Sequence, residues 1–245
     1  SVRLLAGVRG VFAAEQVAAA VRPDNAHFPH SRMVIVENTN NRGGGTVWPA
    51  PRVAEIRAAA DRFGLHLHMD GARLMNACVA ARCRPTDYTQ HVHTVSMCFS
   101  KGLGAPVGSI VAGPKPFITR AHRFRKMFGG AMRQAGILAA AALYALDHHV
   151  ERLAEDHAQA RRLAEAIAEL PGIRLDPITV ETNIVLFDVD PSLGTAAEFV
   201  ARMREHGVWM LPTPPQRVRA VTHLDVSAAG IDRAIAAFRA VCRGR

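Results

Sequence analysis

Along the first half of the chain, short β-branched runs alternate with apolar residues at helical spacing. Met33-Val-Ile-Val-Glu37 reads as a strand. Pro49-Ala-Pro51 then opens a helix whose Val53, Ile56, Ala60 and Phe63 recur at three- and four-residue intervals before Gly64 ends it. Leu65 to Met69, Thr94 to Phe99 and Ser109 to Ala112 read as further strands, and Arg73 to Arg82 as a helix. Strands separated by helical stretches predict βαβ units and a mostly parallel sheet, in which ligands bind beyond the carboxyl ends of the strands. From Pro116 the pattern changes to long helices. Ala131 to His149 is apolar nearly all round and is expected to be buried. Val150, Leu153, His157, Ala160, Ala164 and Ile167 mark one face of another helix, ended by Pro171-Gly172. Strands at Asn183–Val189 and Val218–Val226 and helices near Ala196–His206 and Ala229–Cys242 complete a smaller α+β unit. The expected organisation is an α/β domain over residues 1–149, then a connecting helix and small domain over residues 150–245.

Composition narrows the class. At 245 residues, with 49% hydrophobic and 21% charged, the chain is built to fold around a sizeable core. The apolar stretch from Gly136 to Leu146 falls short of the ~20 residues that cross a bilayer, so no membrane partner is expected. The net charge of +9 suits an anionic partner. Of the 30 basic residues three are lysines (Lys101, Lys115, Lys126) and so 27 are arginines, spread through helices. With few aromatics among them to stack on bases, no nucleic-acid partner is expected. Cys78, Cys83, Cys98 and Cys242 form no C-x-x-C pair, which predicts buried reduced thiols in a cytoplasmic protein.

Three motifs fall at strand ends: Glu37-Asn-Thr-Asn-Asn-Arg-Gly-Gly-Gly45, His68-Met-Asp-Gly-Ala-Arg73 and Ser100-Lys-Gly-Leu-Gly-Ala-Pro-Val-Gly-Ser109. Singly, Lys101 beside glycine reads as a solvated turn and Asp70 as a helix cap. Together they suit an aldehyde cofactor such as pyridoxal phosphate, which needs a lysine amine for its Schiff base and a carboxylate for its ring nitrogen. Asp70 and Lys101 are about one strand–helix–strand unit apart, so neighbouring parallel strands can deliver both to one crevice. A rival reading takes His66-x-His68-x-Asp70, which share one strand face, as metal ligands of a hydrolase, with His91-x-His93 adding more.

These residues resemble a known family. ENTNNRGGG, HMDGAR followed by LMNA, SKGLGAPVGS, RKMFGGAMRQAGILAAAALYAL, DHAQAR and VTHLDVS are similar to stretches of the low-specificity L-threonine aldolases. Those belong to the β-eliminating lyase group of fold-type I pyridoxal-phosphate enzymes. The resemblance implies that fold, an α/β large domain with a mostly parallel sheet plus a small α+β domain. It implies cleavage of β-hydroxy-α-amino acids such as threonine to glycine and an aldehyde. Lys101 would form the Schiff base, Asp70 face the pyridine nitrogen and His68 lie beside the ring. Arg73 and Arg219 would bind the substrate carboxylate, and Lys126 and Arg133 would lie near the cofactor phosphate, reaching a neighbouring subunit's site. A homotetramer built from dimers is implied, and no resident metal.

Two departures from the family pattern carry expectations. Where the family commonly reads ENTHN this chain has Asn40 in place of the histidine, a side chain that hydrogen-bonds but takes no proton near neutral pH. The family's phosphate-binding turn and ring-stacking histidine are also not found ahead of Ser1. The chain is therefore expected to be the back part of a longer enzyme, to bind the cofactor weakly by itself, or to persist as an inactive, oligomer-forming remnant.

Overall fold

The computed structural model describes residues 1–243, and they divide into two compact units. The first comprises residues 1–43 and 47–151, the second residues 44–46 and 152 onward.

In the first unit the elements run α1 (Ala14–Ala20), β1 (Met33–Glu37), α2 (Ala50–Arg62), β2 (His66–Asp70), α3 (Leu74–Ala81), α4 (Pro85–Thr89), β3 (Thr94–Cys98), β4 (Ser109–Ala112), α5 (Lys115–Met127) and α6 (Gly136–His148). The sheet order is β1-β2-β3-β4, with the first three strands parallel and β4 antiparallel to β3. The chain is thus an α/β protein with a mostly parallel sheet. Alternation in β1 sorts its faces: Val34 and Val36 are buried with Val53, Ile56 and Ala60 of α2, while Met33 and Ile35 are exposed. Register carries that open face across the sheet, because Ile35 pairs with His68 and Glu37 with Asp70. Hydrogen bonds between the His68 ring and the hydroxyls of Thr94 (2.8 Å) and Ser96 (3.4 Å) extend it onto β3. A parallel sheet ordinarily buries both faces, and here one of them remains exposed.

The expected burial of the apolar segment ending at His149 is not found. In α6 only Ala142 and Ala145 are buried, and Ile137, Leu143 and Tyr144 are exposed. An all-apolar helix needs cover on every side, and within this chain α6 has it on one. The thiol expectation holds for Cys78 and Cys242, which are buried; Cys83 and Cys98 are only partly so, and all four are free.

The second unit contains α7 (Leu153–Ala168), β5 (Ile173–Arg174), β6 (Ile184–Val189), α8 (Ala196–Glu205), β7 (Leu211–Thr213), β8 (Arg217–Val221) and α9 (Ala228–Arg243). Its antiparallel sheet, ordered β5-β6-β8-β7, packs Val185, Phe187 and Val189 of β6 against Leu163 and Ile167 of α7, Phe199 of α8 and Phe238 of α9. The strand expected to run to Val226 stops at Val221. Past it, Thr222 turns its hydroxyl onto the Asp156 carbonyl at 2.6 Å. No helix among the described residues is long and apolar enough to cross a membrane.

His157 on α7 makes this unit acid-sensitive. Burial pushes its pKa down to about 4 from an ordinary 6.5, against the opposing pull of Asp156. Between those values the unfolded chain holds a proton that the folded chain does not, so stability falls as the pH drops. At about 1.4 kcal/mol per unit, roughly 2 kcal/mol is lost by pH 5. His157→Gln is expected to remove most of that loss, read as a smaller drop in urea midpoint between pH 7.5 and 5 than in the wild type. An equal drop in both proteins rejects the assignment.

Candidate active site

Asp70 is the last residue of β2, and Gly71, Ala72 and Arg73 follow as a tight turn into α3. The Ala72 N–H donates to one Asp70 oxygen at 3.1 Å, which fixes the carboxylate. Gly71 is needed at this turn: its N–H donates to the Ser96 carbonyl at 2.8 Å, and a Cβ there would lie 2.8 Å from that same oxygen. Arg73 is the residue before the first turn of α3 and is partly buried.

Lys101 follows β3 in a loop closed by its own backbone. Gly104 N–H donates to the Lys101 carbonyl (2.8 Å) and Phe99 N–H to that of Gly108 (2.9 Å). Gly108 has φ +116°, a conformation open to glycine and strained for other residues. The Lys101 amine donates to Sγ of Cys98, the last residue of β3, at 3.3 Å.

Glu37 ends β1 and pairs in register with Asp70. Burial raises its pKa above the ordinary glutamate range, as does the charge of Asp70, while a hydrogen bond from the Asn41 backbone and the charges of Arg73 and Lys101 pull it down. One carboxyl therefore feels Asp70, Arg73 and Lys101 together. These four side chains, from three adjacent strand ends, are the charged cluster of the first unit where the sequence placed the chemistry. Glu37 appeared in the quoted motif without a role, because its importance comes from pairing with a residue 33 positions away. An open concavity of about 920 Å³ runs along the exposed face of β1 and is lined at one end by Glu37, Asn40 and Asp70.

The remaining expected residues divide. His68 has burial lowering its pKa and both ring nitrogens engaged by Thr94 and Ser96, so it is a neutral, fixed ring beside Asp70. Asn40 spends its side-chain oxygen on the Gly43 N–H at 2.7 Å and keeps its NH2 as donor. Lys126 lies in the last turn of α5 and Arg133 before α6, both exposed. In the second unit Arg219 sits on β8 between Leu186 and Leu211; burial lowers its pKa, and its Nε is enclosed without a hydrogen-bond partner. The metal-hydrolase reading loses its geometry. His68 is already hydrogen-bonded, His66 stacks edge-on against His93, and among the described residues no group of three or more His, Cys, Asp or Glu could hold a metal ion.

The chain as a whole is similar to known proteins. The family model for beta-eliminating lyases matches residues 2–190. The low specificity L-threonine aldolase of Escherichia coli K12 is 40% identical over 235 residues, covering 96% of this chain and 68% of that protein. The low-specificity L-threonine aldolase 1 of Arabidopsis thaliana is 35% identical over 233 residues, covering 94% of this chain and 65% of its own length. This chain thus spans about two thirds of such relatives. In fold it is similar to the threonine aldolase of Leishmania major (TM-score 0.79, 18% identity, 96% of this chain and 69% of that one). It also resembles an ornithine aminotransferase of Toxoplasma gondii (TM-score 0.64, 17% identity, 94% and 54%). Over most of its length, then, this chain belongs to the beta-eliminating lyase family.

Proposed function

We propose that the chain carries the Schiff-base lysine and ring-nitrogen carboxylate of a pyridoxal-phosphate-dependent aldehyde-lyase. Its substrates are L-threonine, L-allo-threonine and related β-hydroxy-α-amino acids, cleaved to glycine and an aldehyde. The observation that carries this reading is the delivery of Asp70 and Lys101 from the ends of adjacent parallel strands into one charged cluster. The donor set fits the cofactor: an amine for its aldehyde, a fixed carboxylate for its ring nitrogen and a guanidinium one turn away. The Nε of Arg219, enclosed without a hydrogen-bond partner, fits a substrate carboxylate, since an enclosed donor left unpaired is costly until an acceptor arrives.

When bound, the cofactor supplies an electrophilic ring that draws an electron pair from the substrate's Cα. Everything else falls to the chain. Lys101 binds the aldehyde, Asp70 holds a proton at the ring nitrogen, and His68 borders the ring as a neutral imidazole. Arg73 and Arg219 orient the substrate carboxylate, Asn40 donates to its hydroxyl, and Lys126 and Arg133 offer positive charge to the phosphate of a neighbouring copy. The partner copies form a homotetramer, a dimer of dimers, in the cytoplasm. Exposed apolar side chains along α5 and α6, such as Phe128 (84% exposed) and Ile137 (75%), support association, and the free thiols suit that compartment.

The test is direct. Protein incubated with pyridoxal phosphate, reduced with borohydride and digested is expected to carry the pyridoxyl group on Lys101 by mass mapping. Labelling spread over Lys115 and Lys126 as well, or none, overturns the reading.

A further inference from the structure

We propose that Glu37 is the carboxylate that takes the proton from the substrate's β-hydroxyl group, an inference that rests on the cleavage reading above. Cleavage needs such a base, because the hydroxyl must lose its proton as the Cα–Cβ bond opens.

The site's other candidates are already committed. Asp70 serves the ring nitrogen and Lys101 the cofactor aldehyde. Both ring nitrogens of His68 are hydrogen-bonded, to Thr94 and Ser96. Asn40 cannot take a proton near neutral pH, and its oxygen is held by the Gly43 N–H. His30, the one imidazole lining the concavity among the described residues, is exposed beside Asp24. Glu37 remains: half-buried, on the same sheet face as Asp70, and lining the concavity with Asn40.

Its surroundings suit the task. The charged groups facing it are Asp70 from β2, Arg73 from the turn after it and Lys101 from the loop after β3, with the Asn41 N–H from its own loop. Burial and Asp70 make it a stronger base than a surface glutamate. Arg73, Lys101 and the Asn41 N–H pull the other way, favouring the ionised carboxylate that can accept a proton.

In the step, the hydroxyl proton passes to a Glu37 oxygen and the O–H pair becomes the second C–O bond of the aldehyde. The Cα–Cβ bond breaks with its pair on the glycine fragment. Return of one proton to Cα completes glycine and restores the Glu37 carboxylate. One β-hydroxy-α-amino acid gives one glycine and one aldehyde, with no oxidant or further reactant.

The experiment compares wild type, Glu37→Gln and Glu37→Asp, each loaded with cofactor. Glu37→Gln is expected to lower kcat for threonine about a hundredfold, the range of a lost general base, and to flatten the acid limb of its pH profile. Cofactor and glycine dissociation constants, read from absorbance, should stay within about twofold, and Glu37→Asp should recover part of the rate. A Glu37→Gln protein with unchanged kcat and acid limb overturns this inference alone. So does one whose cofactor affinity falls in step with its rate, which marks a positioning role. A wild type that takes up no cofactor overturns the cleavage reading and this inference with it.

Discussion

Asp70→Asn is expected to slow threonine cleavage about a thousandfold while the borohydride-trapped adduct at Lys101 still forms. On the proposed assignment the two results separate, because the residues would serve different atoms. Asparagine is nearly isosteric, so its oxygen can still accept the Ala72 N–H that fixes the aspartate at 3.1 Å. It would bring no negative charge to face the ring nitrogen, and so would no longer favour a proton there. A facing carboxylate worth two to three pKa units corresponds to about 3–4 kcal/mol, or 10²–10³ in rate. Glu37, paired with Asp70 across the β1–β2 register, provides an internal check. Since Asp70 is one of the charges raising its pKa, Asp70→Asn should also move the acid limb of the residual activity to lower pH. The measurement is kcat over pH 5–9 beside the mapped adduct. A rate within about tenfold of wild type rejects the assigned role.

The parts of this site that could be read along the chain are those set by local pattern. Met33–Glu37 and Ser109–Ala112 are strands where the β-branched runs predict them, and the motifs after the parallel strands do sit at strand ends. What escaped was set at a distance. Glu37 becomes chemically notable only through register with Asp70, and Cys98 only because the loop folds the Lys101 amine back onto its sulfur. Short elements escaped for another reason. α1 buries a single residue, Val17, and β7 is three residues with Pro212 in its middle, so neither shows a period. The apolar face of α6 shows a different limit. An apolar pattern states that a surface needs cover, and it cannot say whether the same chain provides it.

A large stability effect is expected of a single substitution at Asp156, in the first turn of α7. Its side chain is 2% exposed, and Arg152 grips both carboxylate oxygens, at 2.7 and 3.3 Å. Two-pronged contact of this kind is the strong form of the ion pair, and the position adds a favourable interaction with the helix N-terminus. Removing one partner of a buried pair costs about 3–5 kcal/mol, since the remaining charge stays desolvated. Arg152 retains some exposure (22%), which places Asp156→Ala near the lower end, about 3 kcal/mol. Asp156→Asn should cost less, because the amide oxygen keeps one of the two bonds. Thr222 bonds the Asp156 backbone carbonyl, so truncating the side chain leaves that link between α7 and the segment after β8 in place. The double variant Arg152→Ala/Asp156→Ala should therefore be less destabilised than the sum of the single ones, by at least 1 kcal/mol or so. Urea midpoints at neutral pH decide it. Additive losses, or an Asp156→Ala loss under about 1 kcal/mol, would mean that the pair contributes no more than a surface contact does.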